Sequence, residues 1–210
     1  MNDYIILVDE NDNEVGQAEK MEAHIKNLRH RAFSIFIFDW NTKKMLLQKR
    51  AYEKYHSGGL WTNACCSHPR INESMEQCLN TRLKEELGLV TTFHIENPAE
   101  CGLLFHGNDV IYSCGKFSYF ASYGKVCENE VDHVFLYSPV YDRINSDALS
   151  FNRQEIEEIR WISIEELKVW MEQEPEAFTA WFSPAFQLVY NVLGNQARNI
   201  QIQELENEIM

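Results

Sequence analysis

The segment Glu73–Leu87 constrains the fold more than any other stretch of this chain. Met75, Leu79, Leu83 and Leu87 return at intervals of four, which stacks them on one face of a helix. Gly88 follows as a stop, because glycine takes the left-handed conformation that ends helices. Around this helix, short runs rich in β-branched and aromatic residues read as strands: Tyr4–Val8, Arg31–Asp39, Met45–Gln48, Phe117–Ala121, Val131–Val140 and Ile156–Trp161. Asp9–Gly16 is turn-rich, and Asn41–Lys44 joins its flanking runs as a β-hairpin. Ser163-Ile-Glu-Glu166 is a capping box that opens a helix, and Ser183-Pro184 caps and starts another that runs into an acidic tail. Strands bracketing one central helix, with helices at the end, define a single mixed α/β (α+β) domain.

Composition agrees with that class. At 210 residues, with 45% hydrophobic and 12% aromatic residues, the chain is long and apolar enough for one sizeable core. No repeat, low-complexity tract or linker divides it. The opening MNDYIILVDE has neither a basic region nor a long apolar core, so no signal peptide is expected. The strongest apolar stretch, Ala32–Phe38, is too short to cross a bilayer. Six cysteines without a secretory signal read as reduced thiols in the cytoplasm, and no CxxC spacing suggests a structural zinc knuckle. No heptad or long apolar stripe speaks for association, so a monomer is the default.

The net charge of −13 argues against nucleic-acid binding, but the charge is unevenly placed. Residues 20–84 hold twelve of the nineteen Lys and Arg and five of the 32 Asp and Glu, a local +7 against −20 elsewhere. A basic segment within an acidic protein fits a focused site for a small anion better than a broad polyanion surface.

Two clusters carry chemistry. Cys66 precedes His68 by two residues, so on a strand both share one face while Cys65 turns away as a small buried hydrophobe. Glu128 and Glu130 share a face by the same spacing. A lone histidine is usually structural, and His56, His94, His106 and His133 are read so.

Ser67, Glu73 and Leu83-x-Glu85-Glu86-x-Gly88 resemble the Nudix box, in which helix carboxylates hold a divalent metal that grips a diphosphate. Three positions depart from it: Ser67 replaces the first Gly, Thr81 the Arg, and Arg82 the Glu of the REUxEE core. A cation in place of that carboxylate suits binding a diphosphate without cleaving it.

The chain from about Glu19 to Pro184 is similar to the type 1 isopentenyl-diphosphate isomerases, which have the Nudix fold. The words carrying the resemblance are Glu19-Lys20 with His24, His30-Arg-Ala-Phe-Ser34, Trp61-Thr-Asn63 with Cys66 and His68-Pro69, Glu85-Glu-Leu-Gly88, Glu128-Asn-Glu-Val131 and Trp181-Phe-Ser-Pro184. The resemblance implies mixed sheets packed with helices in one Nudix-fold domain spanning 1–210. Its core would run over about 30–165, with a metal- and phosphate-binding extension at 1–29 and a helical tail at 183–210. It implies a proton shift between isopentenyl and dimethylallyl diphosphate through a carbocation-like transition state. Such a reaction needs an acid and a base on opposite faces, a water-poor pocket and a diphosphate anchor.

Residue by residue, the resemblance implies Cys66 and Glu130 as the opposed proton-transfer groups, with Tyr119 relaying to Glu130. The expected order is Glu130 with Tyr119 at the terminal carbon and Cys66 at C2. It implies His24, His30, His68, Glu128 and Glu130 as ligands of one Zn²⁺, Mn²⁺ or Mg²⁺, and Glu86 as holder of a Mg²⁺ bound with the substrate. Lys20, Arg50, Lys54 and Arg82 would bind the diphosphate, Trp181 would face the developing cation, and Trp61 would wall the pocket or pack in the core. The partner is thus a small diphosphate, not a nucleic acid or a membrane. Two other classes compete: a Nudix hydrolase, opposed by Arg82 and the Cys66–Glu130 pair, and a diphosphate-sensing module without turnover, opposed by the filled acid and base positions.

Overall fold

A computed structural model describes residues 3–98, 110–138, 144 and 149–209, without the side chains of 196 and 198–209. His106 and the end of the expected strand at 139–140 lie outside the described residues. Tyr4–Val8 (β1) pairs antiparallel with Glu14–Glu19 (β2), which reduces the expected turn to the Asp9–Asn13 stretch. There the Asp9 carboxylate accepts the N–H groups of Asn11 and Asn13. Helix α1, Lys20–Ile25, follows at once, capped by the Glu19 carboxylate on the Glu22 N–H. His30–Asp39 (β3) and Lys44–Arg50 (β4) form the expected hairpin. Two short strands, Trp61–Thr62 (β5) and Cys65–Ser67 (β6), lead to α2, Met75–Leu87. His94–Glu96 (β7), the long hairpin of Val110–Tyr123 (β8) and Val126–Tyr137 (β9), and Ile156–Ser163 (β10) complete the sheet. Helices α3, Ile164–Gln173, and α4, Phe182–Ile209, close the chain.

The main path of the sheet runs β10-β4-β3-β9-β8-β7, with β3 parallel to β9 and β7 parallel to β8. Strand β3 is buried from Ala32 to Phe38, as a strand covered on both faces must be. Phe33, Ile35 and Ile37 meet Leu79, Leu83 and Leu87 of α2. Phe36 and Phe38 meet the opposite cluster, which holds Phe182, Ala185, Phe186 and Val189 of α4. Two helices thus clamp one sheet, and truncating a fully buried leucine such as Leu83 to alanine would cost about 2–5 kcal/mol.

The helix ends show what local rules decide. Helix α2 starts at Met75, two residues after the expected Glu73, because Ser74 and Gln77 form a reciprocal capping box. Gly88 ends it at φ 70°, and an added Cβ there would meet the Ser150 carbonyl oxygen at 2.9 Å. The expected box at Ser163 and Glu166 is present. Helix α4 begins at Phe182, whose N–H reaches the Thr179 carbonyl. Ser183 therefore lies inside the first turn rather than at the cap, and Pro184 sits where a missing N–H costs nothing.

One further tie positions the site. Asp12, at the tip of the β1–β2 turn, receives Arg31 Nε at 2.8 Å, Lys116 Nζ at 2.7 Å and His133 Nε2 at 2.9 Å. Cations from β3 and β8 and an imidazole from β9 thus fasten the N-terminal hairpin, and α1 with it, to the sheet.

Candidate active site

Strands β3 and β9 run parallel with His30 opposite Glu130, so the two side chains leave the same face side by side. Along that face His30, Ala32 and Ser34 give way to Phe36 and Phe38, and Glu130 and Asp132 give way to Val134 and Leu136. One end of the face is polar and the other is core. Strand β6 pairs with β3 so that Ser34 lies opposite Cys66, which brings the thiol to the polar end. Helix α1 brings His24, and the start of α4 brings Trp181.

Ligand atoms of His24, His30, His68 and Glu130 all lie within 4.8 Å of one another. The rings are oriented from behind. His24 Nδ1–H donates to the Cys127 carbonyl at 2.9 Å, and His30 Nδ1–H donates to the Leu28 carbonyl at 2.8 Å. In the tautomer with Nδ1–H on Leu28, His30 turns the lone pair of Nε2 toward Glu130 Oε1 at 3.2 Å, and His68 Nε2 approaches the same oxygen at 3.1 Å. Lone pairs facing a carboxylate oxygen at these distances repel unless a proton or a cation lies between them. The separations are also close to the roughly 3.3 Å edge of a tetrahedron with ~2.0–2.1 Å metal bonds. Three imidazoles and a carboxylate fit Zn²⁺ and tolerate harder ions. Burial, then the neighbouring His30, lowers the His24 pKa, and burial takes that of His68 well below its usual value. Neutral rings are what a metal requires.

Glu128 departs from expectation. It stands outside the group of four: Tyr123 donates to its Oε2 at 2.9 Å, and His56 Nδ1 lies 3.3 Å from its Oε1. Burial, and then the charge of Glu130, lift its pKa to about 8. His56 also departs from its structural reading, since it lines the pocket, stacks on Tyr123 and is nearly fully buried. His94, on Glu96, and His133, on Asp12, have the side-chain partners expected of structural histidines.

Tyr119 donates to Glu130 Oε2 at 2.6 Å. Burial opposes ionisation of Glu130, but once a proton lies between Oε1 and the His30 and His68 rings, their bonding prevails and holds its pKa well below the usual carboxylate range. Cys66 faces the pocket, while Cys65 is fully buried. Burial pushes the Cys66 thiol up to about 12, with the Arg50 guanidinium pulling the other way; its Nη1 lies 3.6 Å from the sulfur.

Lys20, Arg50, Lys54 and Arg82 all line the same pocket, as does Trp181. Burial, then the charge of Lys54 and more weakly that of Arg82, lower the pKa of Lys20. Arg82 spans Glu85 at 2.6 Å and Glu86 at 2.7 Å, and Glu86 is buried beneath it. Trp61 is the third departure, taking the core alternative: it lies edge-on to Trp170, with ring centroids 5.4 Å apart, and not in the pocket wall. Asp132, Glu155 and Tyr55 line the pocket without having been singled out. Asp132 had a legible signal, since Glu128, Glu130 and Asp132 alternate on one strand face; Tyr55 and Glu155 had none.

A sheet clamped by α2 and α4, with a glutamate pair on α2 facing a cluster of cations, defines the class. Residues 28–182 match the NUDIX domain, and the chain is a Nudix-fold protein. The solved structure of DR0079 from Deinococcus radiodurans has the same fold, with a TM-score of 0.59 at 13% identity over 89% of this chain and 98% of that one. Among curated relatives, Isopentenyl-diphosphate Delta-isomerase 1 of Aromatoleum aromaticum is 40% identical over 90% of this chain and 93% of its own. Isopentenyl-diphosphate Delta-isomerase 2 of Photorhabdus laumondii is 37% identical over 87% and 89%. The chain belongs to the isopentenyl-diphosphate Delta-isomerase family.

Proposed function

We propose that this chain interconverts isopentenyl diphosphate and dimethylallyl diphosphate, a step of isoprenoid biosynthesis. The observation that carries the residue assignment is the pairing of a Tyr119–Glu130 dyad with the Cys66 thiol in one pocket. Tyr119 with Glu130 exchanges a proton with the terminal carbon, and Cys66 exchanges one with C2. Because the reaction is reversible, each group is acid in one direction and base in the other. The protonated thiol is ready to donate in the allylic-to-terminal direction. In the opposite direction Arg50 stabilises the thiolate that must accept. The Trp181 ring faces the developing positive charge, a contact worth up to ~2 kcal/mol when desolvated.

His24, His30, His68 and Glu130 would hold Zn²⁺, Mn²⁺ or Mg²⁺, with Glu128 beside them as an alternative ligand. Such an ion supplies positive charge next to Glu130 and so sets that group's proton affinity. Lys20, Arg50, Lys54 and Arg82 take the diphosphate, and Glu86 would hold a Mg²⁺ that accompanies it. Residues 1–29 form the extension that delivers Lys20 and His24 to the core. Hydrolysis is disfavoured because Arg82 occupies a carboxylate position of the box and binds both Glu85 and Glu86.

We place the enzyme in the cytoplasm as a monomer. The five described cysteines are free, and no described helix is long and apolar enough to cross a membrane. Proton NMR of isopentenyl diphosphate in D₂O with Mg²⁺ tests the activity. Deuterated dimethylallyl diphosphate should accumulate and the reaction should stop on chelation; unchanged substrate, or released phosphate, would refute it.

A further inference from the structure

We propose that Arg70, with Lys20 and Arg82, forms a second phosphoryl subsite that opens from the active-site pocket. The inference rests on the reading of the cation cluster as the diphosphate end of the site. Next to the pocket lies a cavity of about 90 Å³ whose walls include Asp3, Lys20, His68, Arg70, Arg82 and Glu155. Lys20, His68, Arg82 and Glu155 are walls of both spaces, so the two adjoin across side chains already assigned to phosphate and metal. A water needs roughly 10–15 Å³ of such volume, so the cavity holds several waters or one tetrahedral oxyanion. Its lining is strongly polar, unlike a void left by imperfect packing.

Arg70 is built for that use. Its backbone bridges to Ile5 of β1, which holds the residue at the seam between the N-terminal hairpin and the site. Its Nε donates to Asp3 Oδ1 at 2.9 Å, and among the described residues its two Nη groups have no protein partner. Arg82 Nε is likewise buried without a hydrogen-bond partner. The unused Nη donors of Arg70, with the Lys20 ammonium and the Arg82 guanidinium among the walls of the same cavity, supply the charge and the fork that phosphate oxygens accept. Glu155 does not oppose an anion, because Lys54 and Arg82 already neutralise it. Asp3 is the internal competitor: it and Arg70 are each 41% exposed, so the pair is weak and an arriving phosphate can take its place.

The test uses the full chain with Mg²⁺, isopentenyl diphosphate as substrate, and inorganic phosphate as a probe. R70A should raise KM about tenfold, weaken inhibition by phosphate, and leave kcat within about twofold; R70K should fall between. D3A, which releases Arg70, should lower KM. Phosphate that competes with substrate assigns the subsite to the terminal phosphate of the diphosphate. Phosphate that binds without competing, and is lost in R70A, assigns it to free phosphate. If R70A changes neither KM nor phosphate inhibition while R82A raises KM, the subsite is refuted and the diphosphate reading stands. If R82A also leaves KM unchanged, both fall. If D3A and R70A shift KM in the same direction, the pair is a structural tie and the proposal is wrong.

Discussion

Replacing Tyr119 by Phe removes one oxygen and isolates the role of the dyad. Glu130 is 5% exposed, and its two oxygens have separate partners: Oε1 meets His30 and His68, and Oε2 accepts from Tyr119 at 2.6 Å. Deleting the hydroxyl leaves Oε2 buried and unmet. A hydrogen bond to a charged group contributes about 1.5–3 kcal/mol, equivalent to a factor of roughly 10 to 100. Loss of the proton relay extends the expected fall in kcat to about 10²–10³, within the usual range for general acid–base groups. KM should stay within about twofold, since Tyr119 is not among the cations that hold the diphosphate. The assay is the D₂O NMR exchange, run beside Mn²⁺ titration to show that the ligand cluster survives. A variant that retained kcat within threefold, with the metal bound, would remove Tyr119 from the proton path.

Other outcomes follow from the same geometry. C66A should abolish turnover yet bind inorganic diphosphate within about threefold of wild type by calorimetry; retained turnover would remove the thiol from the chemistry. Trp61→Ala should cost about 3–5 kcal/mol in denaturant unfolding with kcat of the folded fraction nearly unchanged, because Trp61 belongs to the core. Although burial opposes it, bonding from Lys116 and Arg31 holds the Asp12 pKa below its ordinary 3.8, so its contribution is present above that value and lost as pH falls through the lower folded one. The stability gap between wild type and D12N, read by urea unfolding, should therefore be full well above the ordinary 3.8 and close as pH falls below it. Chelation should lower Tm and added Zn²⁺ or Mn²⁺ restore it, as expected for an ion that binds only the folded site.

Much of this was legible in the chain. The interval-of-four leucines and Gly88 located α2, and the apolar runs flanking Asn41–Lys44 located the β3–β4 hairpin. Those signals are local. What was not legible depends on pairing at a distance. His30 and Glu130 are 100 residues apart, and nothing in either strand states that they run parallel in register. His56 read as structural because it lies in the loop after β4 while its contact, Glu128, lies far along the chain on β9. Trp61 looks the same in sequence whether it faces ligand or core; only the position of Trp170 decides. The helix starts at Ser74 and Phe182 were set by capping and turn hydrogen bonds that apolar periodicity does not report.

The shared face of β3 and β9 limits how this molecule can change over time. Its polar end carries His30 and Glu130, and its apolar end carries Phe36 and Leu136, in unbroken two-residue steps. A one-residue insertion within either strand would turn every later side chain to the opposite face, exchanging ligands and core together. Descendants can therefore lose or gain residues in the β8–β9 turn around Gly124, where φ is 75° and added bulk meets open space. Between His30 and Phe38 they can vary by substitution but not by length.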